Sequence, residues 1–399
     1  MNISKSQPSI LWVQVFILAA LQGSITLAWL VYNTYIPQLL VGFGFPIGLA
    51  VTLLIVENAL GVVMEPLMGG LSDQTKRFLG SRFPFISAGV ILSSALFIAI
   101  PCIVTFVQPT VVIRPLLPIV LVVWALAMTV FRSPAIALLG KYSRPEQLPL
   151  AASIVTLAGG IIGAFRPIAN KFILSLGPIF SFAIASFVML VVAAVLRLVN
   201  PPEPLVDKHN AEVTPFPWQE LSLILGTGFG VAWGSRLLMD ILGKVLKAQL
   251  NTDNIDVMMV GIGLAIAFAN LPAGLFAVKI GNRQAILLGI VATLASILLT
   301  VYLGVQIPIL LILITGFSLI MNGTIPFALS LVPKRWQGLG VGIYFGGFSL
   351  AMSFFTAVFP QSQAITSVVG TVGCILAFLL TGVCVVASGS FVKQKDAEI

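Results

Sequence analysis

Long apolar segments separated by short polar ones follow one another along almost the whole chain. About 20 apolar residues are enough for a helix to cross the hydrocarbon core of a bilayer. Twelve such segments lie between Ile10 and Phe391. They predict helices at 10–34, 47–70, 84–106, 116–139, 149–170, 177–198, 218–241, 255–278, 285–304, 307–331, 337–359 and 365–391. The pattern therefore predicts an all-α, multi-pass integral membrane protein.

Composition agrees with this pattern and adds an orientation. Hydrophobic residues make up 58% of the 399 residues and charged residues only 9%, whereas soluble domains carry about 25% charged residues. The net charge is +8, and most of the 21 Lys and Arg fall on the ends of the chain and on the even-numbered connections. Positive residues concentrate on the cytoplasmic side of membrane proteins. We therefore expect both termini in the cytoplasm, in a cell or inner membrane, and no nucleic-acid partner.

The longest polar stretch, Asn200–Pro217, divides the chain into two sets of six predicted helices. We expect an N-terminal six-helix bundle at 1–199, a cytoplasmic linker at 200–217 and a C-terminal six-helix bundle at 218–399. The linker contains His209, the only histidine. The cysteines show no metal-binding or disulfide spacing: Cys102, Cys374 and Cys384. We therefore expect no metal site, no cofactor and no enzyme activity.

A polar island, Gly69–Arg82, interrupts the apolar pattern between the second and third predicted helices, with one acid and three bases. A degenerate copy, Gly274–Arg283, follows about 200 residues later. A second pair of landmarks recurs in the same order, Ser133–Leu138 and Ile325–Leu329, each followed by basic residues. The chain is therefore expected to consist of two similar halves. Parallel six-helix repeats with a binding site between them are typical of secondary transporters.

The run Gly70-Leu71-Ser72-Asp73, followed by Gly80 and Arg82, resembles the loop 2–3 signature of the major facilitator superfamily. The resemblance implies two pseudo-symmetric six-helix bundles that move a solute by alternating access. It also implies that the island holds the cytoplasmic side closed rather than binding substrate. A turn that only fixes topology is the alternative.

Within that superfamily, three segments resemble the sucrose-transporter and glycoside–pentoside–hexuronide cation symporter branch. They are Glu65–Gly69, Gly80–Ile86 and Tyr35–Leu40. One departure is that a single base, Arg82, precedes the Phe-Pro-Phe run, where that branch often has several. The resemblance implies sugars or glycosides as cargo.

Ionisable residues inside membrane helices are costly and are candidates for function. The first half has four: Glu57 and Glu65 on helix 2, Arg132 on helix 4 and Arg166 on helix 5. Two acids and two bases suggest pairing. The directions of the helices place Glu65 at the level of Arg132, and Arg166 nearer that of Glu57. A charge network that binds substrate or a coupling cation is one interpretation, and static pairs that hold the helices together are the other.

Further substrate-binding candidates are amides and aromatic residues, which commonly bind sugars. They are Gln22, Trp29, Tyr32, Asn33, Asn58, Asn270 and Asn322. Each could instead make a hydrogen bond between helices. The gating candidates are Glu65, Asp73, Arg82, Arg236 and Asp240. Because Arg236 and Asp240 lie one turn apart near the predicted outer end of helix 7, a snorkelling surface pair is the alternative for these two.

The sequence thus favours a secondary active transporter for a small neutral sugar or glycoside, coupled to protons or to another cation such as Na⁺. We expect a monomer in the lipid bilayer. Two alternatives remain open. One is an exporter of another small organic solute. The other is a pigment or light-harvesting assembly factor of the same fold, without transport activity.

Overall fold

The structure, a computed structural model, describes residues 10–202, 216–360 and 365–389. Most of the predicted linker at 200–217, including His209, lies outside the described residues, as do both ends of the chain.

Within the described residues, twelve helices are long and apolar enough to cross a membrane. They are α1 Trp12–Gly42, α2 Gly48–Leu79, α3 Phe83–Phe106, α4 Leu116–Tyr142, α5 Pro145–Leu176, α6 Pro178–Val199, α7 Trp218–Leu250, α8 Asp256–Ile280, α9 Asn282–Leu303, α10 Ile307–Leu331, α11 Lys334–Val358 and α12 Ser367–Ala387. The predicted all-α fold with twelve transmembrane helices is confirmed.

The helix ends of the structure differ most from the predicted ones where polar residues continue a helix beyond its apolar segment. The α2 helix ends at Leu79 and α7 at Leu250, each about two turns later than predicted, because hydropathy marks only the part of a helix that lies in hydrocarbon. The turn after α2 begins at Gly80, whose φ of +68° favours glycine. The polar island is therefore mostly the last turns of α2, with a tight turn at its end.

The α5 helix is interrupted near its end. A short 3₁₀ segment, Arg166–Ile168, separates the α-helical parts Leu148–Ala164 and Ala169–Leu176. Pro167 explains the interruption, because proline lacks the backbone N–H that an α-helix needs. The break places Arg166 at an irregular point of the backbone within a membrane-spanning element.

The helices build two apolar clusters, one for each half of the chain. The first is drawn from α1–α6 with only Leu329 and Val341 added from the second half, and the second cluster is drawn from α7–α12. Two pairs of helices, α2 with α11 and α5 with α8, join the halves along most of their length. In the described residues α1 and α7 make no comparable contact across the centre.

One end of the bundle is identified by the contacts of the first helix. The backbone N–H of Leu11 donates to the Tyr142 carbonyl at 2.8 Å, at the end of α4. The Gln14 amide donates to the Val199 carbonyl at 2.9 Å, at the end of α6. We call this end, where α1 begins and α4 and α6 end, the terminal face, and the other end the opposite face.

Candidate functional site

Glu57, on α2, is buried and bound to a tyrosine on α1. Its side chain is 6% exposed, and the Tyr32 hydroxyl donates a hydrogen bond to Glu57 Oε1. The second carboxylate oxygen, Glu57 Oε2, has no hydrogen-bond partner among the described residues. No basic side chain of the described residues lies within ion-pair distance of Glu57. The site thus holds an acid with one free oxygen and no opposite charge beside it.

Tyr32 belongs to a group of four aromatic side chains in mutual contact, which we call the aromatic cluster: Trp29, Tyr32, Phe97 and Trp124. The Trp124 ring centroid lies 4.1 Å from that of Tyr32, 4.9 Å from that of Trp29 and 4.7 Å from that of Phe97. The indole N–H groups of both tryptophans have no acceptor among the described residues. Trp124 and Phe97 were not among the sequence candidates, because nothing along the chain indicates that α3 and α4 turn these faces toward Tyr32.

The predicted pairing of Glu65 with Arg132 is confirmed. Glu65 is fully buried and forms an ion pair with Arg132 across α2 and α4. The Ser133 hydroxyl also donates to Glu65. The Arg132 guanidinium lies over the ring of Phe345, on α11, with its carbon 4.4 Å from the ring centroid. This charged group therefore contacts the second half of the protein as well as the first.

The ion pair that the sequence suggested between Arg166 and Glu57 does not form within the described residues. Arg166 makes no ion pair within the described residues, and Arg236 of the second half interacts with it electrostatically. Depth along the helix axes does not determine the direction in which a side chain points. Tyr32 occupies the position beside Glu57 that the prediction gave to Arg166.

Arg236 and Asp240 also differ from the expected surface pair. Asp240 pairs with Lys244 at 2.6 Å, one turn further along α7. The Arg236 guanidinium carbon instead lies 5.5 Å from the ring centroid of Phe355, on α11. Because α7 continues to Leu250, Arg236 lies in the middle part of the helix and not at its end.

The amide candidates fall into two groups. Asn33 and Asn58 donate to carbonyl groups one turn earlier, those of Trp29 and Leu54, both at 2.7 Å, which satisfies their amide nitrogens within their own helices. Others keep buried polar atoms without partners in the described part of the chain. These atoms are Gln22 Oε1, Asn270 Oδ1, and both Oδ1 and Nδ2 of Asn322.

At the terminal face, Asp73 connects the two halves. It forms a buried ion pair with Arg82, and its carboxylate accepts hydrogen bonds from the backbone amides of Gly338 at 3.0 Å and Leu339 at 2.8 Å. These amides belong to the first α-helical turn of α11, where the helix dipole favours a negative charge. Arg82 also donates to the Ala137 carbonyl at 3.1 Å. We call Asp73, Arg82 and these two amides the latch.

The latch confirms that the acid of the polar island pairs with its base and with the positive end of a helix. The degenerate copy is built differently. It turns at Gly281, with a φ of +92°, and Arg283 donates to the Val385 carbonyl at 2.8 Å, at the end of α12. An alanine, Ala277, and a valine, Val278, stand in the copy where the first island has Ser72 and Asp73. The copy therefore lacks the acid that joins the halves.

Comparisons with known proteins agree with this architecture. The sequence pattern of the Major Facilitator Superfamily matches residues 18–356, whereas no curated protein sequence matches significantly. A structure of a proton:xylose symporter covers 96% of this chain and 96% of its own, with 13% identity and a TM-score of 0.70. The E. coli fucose:proton symporter covers 94% and 98%, with 13% identity and a TM-score of 0.69.

A bacterial homologue of the iron transporter ferroportin, in an outward-facing state, covers 95% of this chain and 99% of its own, with 14% identity and a TM-score of 0.69. At these identities the structures show a shared fold only. In the part of the chain that the structure describes, no group of three or more His, Cys, Asp or Glu side chains could hold a metal ion. Since the family pattern matches most of its length, the chain belongs to the Major Facilitator Superfamily.

Proposed function

We propose that the protein is a secondary active transporter that moves a small solute, a sugar or glycoside, by alternating access coupled to protons or another cation. Membership of the superfamily supports transport, and two of the similar structures are sugar–proton symporters by their own descriptions. The proposal includes the division into bundles at 1–199 and 218–399 with a linker between them. It also places both termini in the cytoplasm.

The observation that carries the coupling part of the proposal is the environment of Glu57. The acid is buried, one of its oxygens is free, and no base pairs with it among the described residues. Because no opposite charge holds the carboxylate ionised, it can take up and release a proton as the surroundings change. The Tyr32 hydroxyl can form a hydrogen bond with Glu57 whether the carboxyl group is ionised or protonated.

The aromatic cluster supports the choice of cargo. Trp29 offers an apolar ring face and an unpaired indole N–H, and Gln22 offers an unpaired amide oxygen on the same helix. A ring-shaped polyol has apolar C–H faces and hydroxyls at its edge, so such a set of groups can contact both. These residues lie on α1, which makes no extensive contact with α7 of the other half.

The latch supports alternating access. It fastens the two halves at the terminal face through contacts from Asp73 to amides of α11, and these contacts must break when the halves separate there. With the termini in the cytoplasm, the described conformation is closed to the cytoplasm. In this proposal Asp73 and Arg82 set the balance between conformations and do not touch the solute.

A transport assay on purified protein in liposomes tests the proposal. A thermal-shift panel of sugars and glycosides first identifies a stabilising solute, and radiolabelled uptake is then measured with and without an imposed pH gradient. We expect Glu57→Gln to abolish gradient-driven accumulation while solute exchange at equilibrium continues. Glu146→Gln, which removes an exposed acid at the terminal face, is the matched control. Undiminished accumulation by Glu57→Gln would reject the coupling role.

A further inference from the structure

A cavity lies at the terminal face, where α3 begins and α6 ends. Its volume is about 470 Å³, within the range of pockets that hold small molecules. The residues that line it come from the turn before α3, the first turns of α3 and the end of α6: Ser81, Phe83, Pro84, Ser87, Arg197 and Asn200. All of them belong to the first half, so one half alone builds this cavity.

Arg197 brings a positive charge to the cavity. It lies in the last turn of α6, and within the described residues its guanidinium group takes part in no ion pair or hydrogen bond. No acid is among the lining residues. Asp73 is already bound to Arg82 and to two backbone amides in the latch, and Glu146 lies at the start of α5, which packs on α1 and α8. The guanidinium N–H groups are therefore available to a ligand.

The Asn200 side chain is held with its amide nitrogen unused. Its oxygen, Oδ1, accepts hydrogen bonds from Lys141 Nζ at 3.2 Å and from the Tyr142 hydroxyl at 2.9 Å. Because a lysine ammonium group only donates, the amide cannot be reversed without placing its NH₂ group against that donor. The nitrogen, Nδ2, has no acceptor in the part of the chain that the structure describes. Asn200 therefore offers the cavity a donor and no free acceptor.

The two serines extend this set of donors. The Ser81 oxygen accepts from the backbone N–H of Phe83 at 3.1 Å, which leaves its hydroxyl hydrogen free, and the Ser87 hydroxyl has no partner among the described residues. The first turn of α3 adds the positive end of a helix dipole. At the end of α6, the Val199 carbonyl is occupied by the Gln14 amide at 2.9 Å. The cavity thus has hydrogen-bond donors from four side chains and suits an anion.

The level of the cavity matches the surface of the membrane. The contact of Gln14 with Val199 places the start of α1 beside the end of α6. Trp12, half a turn before Gln14, is 43% exposed. Tryptophan is enriched where the hydrocarbon core meets the lipid headgroups. The end of α6, with Arg197, therefore lies in the headgroup layer.

Apolar side chains continue from the cavity toward the middle of the membrane. Ile91, one turn beyond Ser87 on α3, and Val195, half a turn before Arg197 on α6, are both exposed. A soluble anion would leave this apolar surface uncovered, whereas the acyl chains of a phospholipid would cover it. Basic pockets between membrane helices are suited to the headgroups of anionic lipids.

We propose that this cavity binds the phosphate of an anionic phospholipid from the leaflet at the terminal face, with Arg197 and the Asn200 amide as its main donors. A headgroup that also carries an ammonium group, as in phosphatidylcholine, meets no acid among the lining residues. Lipids of net negative charge, such as phosphatidylglycerol, are therefore favoured. Because a single half builds the cavity, the inference does not depend on the proposed transport function.

Native mass spectrometry and thermal shifts on the purified full chain test the proposal. The probes are dioctanoyl phosphatidylglycerol and dioctanoyl phosphatidylcholine. Sodium phosphate against sodium chloride at equal ionic strength tests a free anion. We expect phosphatidylglycerol to stay bound in the mass spectrometer and to raise the melting temperature saturably, while phosphatidylcholine and inorganic phosphate do not.

Variants connect this binding to the cavity. Arg197→Gln should weaken phosphatidylglycerol binding by about tenfold or more, since hydrogen bonds to charged groups typically contribute that much, and Arg197→Lys should retain part of it. Asn200→Asp keeps an acceptor for Lys141 and Tyr142 but replaces the amide donor by a negative charge, so it should also lose the lipid. Melting temperatures without lipid check that each variant folds.

Lys279→Gln is the matched control. It removes an exposed cation at the end of α8 that does not line the cavity, and it should bind the lipid as the wild type does. Equal stabilisation by the two lipids, or equal losses in Lys279→Gln and Arg197→Gln, would overturn the site. Stabilisation by inorganic phosphate that requires Arg197 would assign the cavity to soluble anions and contradict the lipid.

Discussion

The Asp73 carboxylate, at the terminal-face end of α2, accepts a hydrogen bond of 3.0 Å from the backbone amide of Gly338, in the first α-helical turn of α11. The two residues are 265 positions apart in sequence, so this contact exists only because the two halves meet there. It joins a buried charge of one half to a helix end of the other.

The first prediction concerns the latch. Asp73→Asn removes the negative charge and leaves Arg82 buried without its acid, which should lower the unfolding free energy by about 3–5 kcal/mol. It should also slow transport while solute affinity changes little, because Asp73 lies at the terminal face and away from Glu57. Melting temperature, solute affinity and initial uptake rate are the measurements.

Asp253→Asn is the matched control for the latch, since that acid is fully exposed and pairs only loosely with Lys247. It should melt and transport like the wild type. A large loss of solute affinity in Asp73→Asn would contradict the assignment of the latch to gating.

The second prediction concerns Glu65 and Arg132. Arg132→Gln leaves the fully buried Glu65 without its counter-charge, and we expect a loss of about 3–5 kcal/mol in stability. Adding Glu65→Gln should recover part of this loss, because the unpaired charge disappears. A double-mutant cycle measured by chemical denaturation gives the coupling energy, and the exposed pair Lys247–Asp253 should show no measurable coupling under the same conditions. Strictly additive effects at Glu65 and Arg132 would show that the two residues act separately.

The third prediction concerns the hydrogen bond from Tyr32 to Glu57. Tyr32→Phe keeps the ring contacts with Trp124 but removes the hydroxyl that donates to the acid. Leaving a buried polar group without its hydrogen-bond partner costs about 1–3 kcal/mol, so we expect lower stability and weaker gradient-driven uptake, measured by thermal melting and in liposomes. Tyr302→Phe, at an exposed position, should leave both quantities unchanged. If the two variants melt and accumulate solute alike, the Tyr32 hydroxyl has no role in coupling.

The fourth prediction concerns the close approach of α2 and α11. A Cβ added at Gly69 would collide with the backbone of Gly338, and one added at Gly342 with the backbone of Glu65. Gly69→Ala and Gly342→Ala should therefore each destabilise the protein by about 1–3 kcal/mol through overpacking. Because the backbone of α2 cannot move without disturbing the latch, we also expect a cysteine-labelling reagent to reach Leu339→Cys faster in the Gly69→Ala background.

The control for the glycine variants is Gly261→Ala, on α8. Nothing lies within 4 Å of a Cβ added there, and alanine is the better helix former. This variant should melt at or slightly above the wild-type temperature. If Gly69→Ala behaves in the same way, the helices are not held at the distance that the structure shows.

Much of the fold could be predicted from the sequence because bilayer thickness limits the length of apolar segments. The α10 helix, Ile307–Leu331, begins and ends where the pattern predicts. The prediction failed at α7, whose final turns carry Lys244 and Lys247, because charged residues that extend a helix into water do not register as membrane-spanning.

Contacts of the candidate site could be predicted only within one half. Glu65 and Arg132 follow from the depth of two neighbouring helices, and both are charged, so each needs a partner. The approach of Arg166 to Arg236 could not be inferred, because two like charges give no reason to expect proximity. Their relative position depends on how the halves dock, and spacing along the chain contains no information about that arrangement.

Because the second copy of the polar island lacks an acid, the two copies make different kinds of contact. Arg283 holds α9 to α12 within its own half, while Asp73 holds one half to the other. If the latch gates transport, the protein without solute rests with its terminal face shut. The free energy of opening then differs between the two faces, because only the terminal face must break a charged contact between the halves.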